Sequence, residues 1–247
     1  MTPDLVIFDC DGVLVDTEPT TNRIISESLS ELGLTVPPDQ VHAMFAGGTM
    51  QSVADEAASR GATIPPHWIE GIYEQVFAAL REHAPVIPGV IALLDRLEDA
   101  GIAVAVASNG PMAKMEISLG PSGLWDRLAG RIYSGHDFGP KPAPDMLLHA
   151  MIRQGASAAR TVMIDDMPAG WRAAEAAGVR ALAYVADGGL ERAVGDVTGF
   201  VDMADVPALL GLDHADSAAQ SDGIVIPQPS QCEDASTKTD TLKRLFG

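Results

Sequence analysis

With 247 residues, 47% of them hydrophobic, the chain has enough material to bury one sizeable core and a smaller second one. No run of about 18 apolar residues occurs, which argues against a helical membrane span. A formal net charge of −18, from 16 basic and 34 acidic residues, argues against a nucleic-acid partner, because phosphate backbones are bound through clustered Lys and Arg.

The chain opens Met1-Thr2-Pro3-Asp4 and runs directly into the apolar stretch Leu5–Phe8. It shows no basic segment, hydrophobic stretch and cleavage pattern of a signal peptide. Cys10 and Cys232 lie far apart and suggest no disulfide framework, so the expected location is the reducing cytoplasm. Leu5–Phe8 reads as a strand covered on both faces. Residues 17–85 then read as consecutive helices at 19–32 before Gly33, 39–45, 50–60 before Gly61 and 66–83. The rhythm changes at residue 90. A helix over 90–100 stops at Gly101, and a strand follows over 102–107. A helix over 142–154 stops at Gly155, before a strand at 162–164. A helix over 168–177 stops at Gly178, before a strand at 181–185.

This alternation predicts an α/β fold, a doubly wound, mainly parallel sheet of Rossmann-like type formed by 1–16 and 86–212. The helical block 17–85 is expected to be an inserted all-helical cap domain; a single domain with one long crossover accommodates the same pattern. Residues 213–247 are expected to be a disordered tail, rich in Ser, Asp, Gln, Pro and Thr. A short terminal helix or docking tag at 242–246 is the alternative to simple fraying there.

In open α/β sheets, ligands bind beyond the carboxyl ends of the strands. The first strand ends in Asp9-Cys10-Asp11-Gly12-Val13, the second in Ser108-Asn109-Gly110, and the 162–164 strand in Asp165-Asp166. Lys141-Pro142-Ala143-Pro144 opens a helix. Singly, each has an ordinary reading: Asp and Asn-Gly are turn chemistry, and a paired Asp can cap a helix. Together they make chemical sense. Three carboxylates from two loops supply the hard oxygen ligands that Mg²⁺ prefers. One of them can attack phosphorus once a metal offsets the repulsion between anions. A hydroxyl and amide hydrogens at a helix start suit phosphate oxygens, and a lysine supplies compact positive charge. An acid two residues past the nucleophile can protonate a leaving alcohol. The acidic composition does not oppose a small phosphorylated substrate, because a metal and one or two cations can reverse the local field in a cleft.

The ordered set Asp9-x-Asp11-Gly12-Val13-x-x-Asp16-Thr17-Glu18, Ser108-Asn109, Lys141-Pro142 and Asp165-Asp166 resembles the four motifs of the haloacid dehalogenase-type phosphotransferases. The helical insertion is similar to the cap of the subclass that contains phosphoglycolate phosphatase, β-phosphoglucomutase and sugar phosphatases. Ser108-Asn109-Gly110-Pro111, Lys114-Met115, Ser134-Gly135 and Lys141-Pro142-Ala143-Pro144-Asp145 resemble bacterial phosphatases of phosphorylated sugars and sugar acids.

The resemblance implies an aspartyl-phosphate mechanism with Asp9 as nucleophile and Asp11 as general acid and base, the Asp11 carbonyl also binding Mg²⁺. It implies that Ser108 and Asn109 hold phosphate, that Lys141 is the positioning cation, that Asp166 is a direct metal ligand and that Asp165 either supports the ligands from behind or reaches the metal through water. Met167 departs from the Ser or Thr often found there. The dehalogenases lack the second acid, so Asp11 argues against dehalogenation. The expected partner is a small phosphorylated metabolite: a sugar, polyol or sugar-acid phosphate.

Three other folds or activities share parts of this pattern. A calcium loop would place its glycine later than Gly12. A phospho-acceptor receiver domain carries its acidic pair first and needs no helical insertion. A sugar phosphomutase shares the machinery, but typically carries a His after the first motif and cations around the cap turn. Here those positions are Thr20-Thr21-Asn22, and Ala46 and Met50 around Gly47-Gly48-Thr49. Scattered histidines offer no zinc pattern. Arg23 and Arg60 are candidates for a substrate's distal anion, His136 for the cleft, and Gly47-Gly48 for a turn reaching the site. Trp68 and Trp171 read as packing residues.

Overall fold

A computed structural model describes residues 2–45, 50–186, 188–189 and 197–212. The tail at 213–247, the Gly47-Gly48 turn, Cys232 and His214 therefore lie outside the described residues. Six parallel strands form one sheet in the order β3-β2-β1-β4-β5-β6. They are β1 (Leu5–Phe8), β2 (Ala103–Ser108), β3 (Ile132–Ser134), β4 (Thr161–Asp165), β5 (Arg180–Tyr184) and β6 (Thr198–Phe200). The central position of β1 follows from its composition. All four of its residues are fully buried, because helices cover both faces.

The two faces divide by the two-residue period of the strands. Val6, Phe8, Val104, Val106, Val162 and Ile164 pack with Leu93, Leu94 and Leu97 of α5 (Val90–Asp99) and with Met115 and Leu119 of α6 (Met112–Leu119). Leu5, Ile7, Ala105, Ala107, Met163, Ala181 and Ala183 face the other way. They meet Met146, Leu147 and Ala150 of α9 (Asp145–Gln154) and Trp171, Ala173 and Ala174 of α10 (Pro168–Ala176). Alanines on this second face let α9 and α10 lie close to the sheet. Two short helices complete this region, α7 (Leu124–Arg127) and α8 (Gly135–Phe138), and α11 (Val206–Leu209) follows β6.

Between β1 and α5 the chain makes four helices: α1 (Glu18–Glu31), α2 (Pro38–Phe45), α3 (Met50–Ser59) and α4 (Trp68–Glu82). They share a hydrophobic cluster of their own. Trp68, Ile72, Val76 and Leu80 recur every fourth residue on α4 and pack with Ile24, Ile25, Leu29, Val41 and Val53. Trp68 Nε1 donates to Ser28 Oγ at 2.8 Å, which satisfies its one polar atom. No helix among the described residues is long and apolar enough to cross a membrane.

The structure adds elements that sequence reading passed over. β3 and β6 are three-residue strands at the two sheet edges, too short to show a period. α6 is only eight residues long. The helix expected from residue 142 starts at Asp145, and the one expected from 66 starts at Trp68.

Candidate active site

Asp9 follows β1, the strand that separates β2 on one side from β4 on the other, so the first loop emerges at the sheet's topological switch point. Asp9 N–H donates to the Ile164 carbonyl at 2.9 Å, one step beyond the β1–β4 ladder. The chain then turns tightly, with Gly12 N–H donating to Val15 O at 2.8 Å. Gly12 has φ +79°, and a Cβ on it would stand 2.4 Å from Asp166 Oδ2. Glycine is therefore required twice over, by the backbone and by the approach of the second acidic loop.

That second loop is equally constrained. Asp165 Oδ1 accepts from Met167 N–H at 2.9 Å, and its carbonyl accepts from Trp171 Nε1 at 2.8 Å. A Cβ at Gly170 would fall 1.9 Å from Asp165 Oδ2, so the first turn of α10 can lie against this carboxylate only because residue 170 lacks a side chain. Trp171, read from sequence as a packing residue, both packs and holds the Asp165 backbone.

Lys141 reaches into the cluster from the loop before α9. Its Nζ lies 2.5 Å from Asp9 Oδ1 and 2.7 Å from Asp165 Oδ2, and its side chain is 4% exposed. Burial alone would lower its pKa; the Asp9 and Asp165 carboxylates outweigh that and leave it raised. Asn109 fixes this loop in place. Its Oδ1 accepts from Lys141 N–H at 2.6 Å, and its Nδ2 donates to the Lys141 carbonyl at 3.1 Å. The Asn109 side chain thus orients the lysine, a contact beyond the phosphate contact expected of this residue from sequence. Ser108 is buried at the end of β2 and its Oγ accepts from Gly110 N–H at 3.1 Å.

Asp9, Asp165 and Asp166 each place a carboxylate oxygen within 4.8 Å of the others. Burial, with Lys141 opposing it and Asp165 reinforcing it, pushes Asp9 up to about 7. Burial, reinforced by Asp9 and Asp165, pushes Asp166 up to about 8. Asp166 Oδ1 is buried with no hydrogen-bond partner. Three crowded carboxylates thus face one ammonium, and one of their oxygens has nothing to bond. A hard divalent cation corrects both deficits, so the donor set fits one.

Asp11 points to different partners. Thr17 Oγ1 donates to its Oδ1 at 2.8 Å and Lys114 Nζ to its Oδ2 at 2.7 Å. Burial opposes the Lys114 charge, and Asp11 more than restores it, so the Lys114 pKa is raised. Sequence reading quoted Thr17 and Lys114 only as parts of motifs. The available signal was position: Lys114 lies three residues past Pro111, in the first turn of a helix that starts at a strand's carboxyl end. Arg23 and Arg60 are not drawn into this cluster. They form exposed i,i+4 pairs with Glu27 and Glu56. His136 is exposed, as is Met167 at 54%.

Comparison with known proteins agrees with this geometry. The profile of the haloacid dehalogenase-like hydrolases matches residues 6–184. The 6-phosphogluconate phosphatase of Escherichia coli (strain K12) is 29% identical over 210 residues, covering 83% of this chain and 94% of that protein. The phosphoglycolate phosphatase of Xanthomonas campestris pv. campestris (strain 8004) is 30% identical over 187 residues, covering 73% and 82%. A solved HAD family hydrolase of Deinococcus radiodurans R1, with bound phosphate and sodium, has a TM-score of 0.76 at 27% identity, covering 85% of this chain and 97% of that one. Motif order, sheet topology and these matches together show that the chain belongs to the haloacid dehalogenase-like hydrolases, among the phosphatases of that family.

Proposed function

We propose that the chain is a cytoplasmic, Mg²⁺-dependent phosphomonoesterase that hydrolyses a small sugar, polyol or sugar-acid phosphate through an aspartyl-phosphate on Asp9. The observation that carries this reading is the buried Asp9 carboxylate, bonded to the Lys141 ammonium beside two further carboxylates, with Asp11 two residues away. An Asp9 carboxylate oxygen attacks phosphorus, and the ester P–O bond breaks as Asp11 gives its proton to the leaving oxygen. Water then attacks the phosphoryl group, its proton passes to Asp11, and the Asp9 carboxylate is restored. Ser108, Asn109 and the amide hydrogens at the start of α6 hold phosphate oxygens, with Lys141 supplying charge. Asp9, Asp166 and the Asp11 carbonyl would hold Mg²⁺, with Asp165 beside them, and the bound ion would supply the positive charge that lets a carboxylate approach a phosphate.

These groups recognise phosphate, which every phosphomonoester presents. The helical block 17–85 is therefore read as a cap domain over the core 1–16 and 86–212, selecting the organic part. A sugar-acid phosphate is supported by the length over which the chain matches the 6-phosphogluconate phosphatase. The direct test is phosphate release from a panel of sugar, polyol and sugar-acid phosphates. Turnover is expected with Mg²⁺ and not with Ca²⁺, which accepts more oxygen ligands and can engage both oxygens of Asp9. Full activity in excess EDTA would remove the metal from the mechanism.

The raised carboxylates make a second prediction. In the metal-free protein the folded-state pKa values of Asp9 and Asp166 lie above the ordinary carboxylate value of 3.8. Between that value and about 7 to 8 the folded state binds more protons than the unfolded one. These groups therefore cost increasing stability as pH rises through that window. Metal displaces the same protons, so the rise in Tm on adding Mg²⁺ should be larger at pH 8 than at pH 5.5. An equal rise at both pH values would mean that these carboxylates are not the ligands.

A further inference from the structure

Asp11 is gripped at both oxygens by donors from separate parts of the chain. Thr17 stands just before α1, while Lys114 belongs to α6, the helix that follows β2. An exposed ion pair would be worth little, about 0–1 kcal/mol. This pair is different in placement. Its side chains are 29% and 26% exposed, and it borders the phosphate end of the site. A Cβ at Gly110 would stand 3.4 Å from Ser108 Oγ, 3.8 Å from Lys114 Cδ and 4.0 Å from Asp11 Oδ2. Ser108, Lys114 and Asp11 thus converge on one point beside Gly110. With Thr17 on one oxygen and Lys114 on the other, the Asp11 carboxylate is held in one orientation beside Ser108.

We propose that Lys114 is a positioning residue for the second half of the reaction, aiming Asp11 at the water that cleaves the aspartyl-phosphate. The inference rests on the phosphatase reading above. In that half, a water O–P bond forms and the P–O bond to Asp9 breaks, its electrons returning to the Asp9 carboxylate. The proton of the water passes to Asp11, which later delivers it to the next leaving alcohol. No other reactant is needed.

The test uses the full chain with Mg²⁺ and p-nitrophenyl phosphate, whose leaving phenolate needs little help from an acid. Phosphoryl transfer to Asp9 should then proceed without Lys114, while breakdown of the intermediate slows. For Lys114→Met, kcat should fall about 10- to 100-fold, below the full contribution of acid–base catalysis. KM should fall in parallel, leaving kcat/KM within about 2-fold. Rapid mixing should show a burst of p-nitrophenolate of about one equivalent per enzyme, followed by slow turnover. Lys114→Arg, which keeps a charged donor, should recover most of kcat. Should the Met variant fail to fold, Lys114→Gln carries the same comparison. An unchanged kcat, or equal losses in kcat and kcat/KM without a burst, overturns the proposal. A wild-type enzyme that releases no p-nitrophenolate overturns the phosphatase reading itself, and this inference with it.

Discussion

Asp9→Asn is expected to lower kcat by about 10⁴-fold or more, the scale on which loss of a covalent nucleophile is felt. An amide oxygen at the same place cannot form the acyl phosphate, and the acidic cluster loses one of its three carboxylates. The same change should make the metal-free protein more stable at pH 8. Asp9 is held up to about 7 chiefly by burial, so above that pH the folded protein carries a buried carboxylate whose ionisation costs more than it does in the unfolded chain. Asparagine has nearly the same shape, stays neutral and can still accept from the Lys141 ammonium. At pH 4 the Asp9 carboxyl is already protonated in the folded protein, and the gain should shrink. Steady-state assays, free of wild-type contamination, and thermal unfolding in EDTA at the two pH values check both halves. Near-normal turnover would move the chemistry to another residue. Stability unchanged at pH 8 would show that the carboxylate is better solvated than its burial implies.

Lys141→Met should lose both activity and stability. The ammonium is the only cation bonded to Asp9 and Asp165 among the described residues, and methionine keeps the stem while deleting the charge. Removing one member of a buried ion pair costs about 3–5 kcal/mol, because the partner charge is left behind. In a chain of this size that corresponds to a fall in Tm of about 6–20 °C. The loss should be greatest in EDTA at pH 8. Mg²⁺ should reduce it by neutralising the same carboxylates, and lower pH should do so by protonating Asp9. Thermal melts with and without metal would separate these contributions. A variant as stable as wild type in EDTA would mean that the carboxylates do not depend on this ammonium.

Much of the sheet was legible because buried parallel strands announce themselves as short apolar runs: Leu5–Phe8 and the stretches in β2, β4 and β5 needed no tertiary knowledge. β3 and β6 were not legible. Three-residue edge strands are made by their neighbours, and Thr198-Gly199-Phe200 has no strand character in isolation. Site acids and Lys141 could be read because chemistry at strand ends recurs in order along the chain. The use of Asn109 could not be read, since it depends on the Lys141 backbone arriving 32 residues later at the same point in space. Arg23 and Arg60 each have a glutamate four residues away along the chain, and that local partner, visible in the sequence, was a guide to where the side chain goes.

The chain leaves the sheet for the helical block and returns through adjacent points. Val15 and Val86 pair antiparallel, Asp16 N–H donates to Pro85 O at 2.8 Å, and Ile87 N–H donates to Leu14 O at 3.0 Å. The two ends of some seventy intervening residues are therefore about one strand spacing apart, roughly 5 Å. A loop pinned at its base in this way is nearly indifferent to length, since each doubling adds only about 0.6 kcal/mol of closure cost. What lies between residues 16 and 85 can therefore be lengthened, shortened or exchanged over generations without asking the sheet to move. The geometry implies a division of evolutionary labour, in which the sheet stays fixed while the segment hung from this one short antiparallel bridge is free to drift.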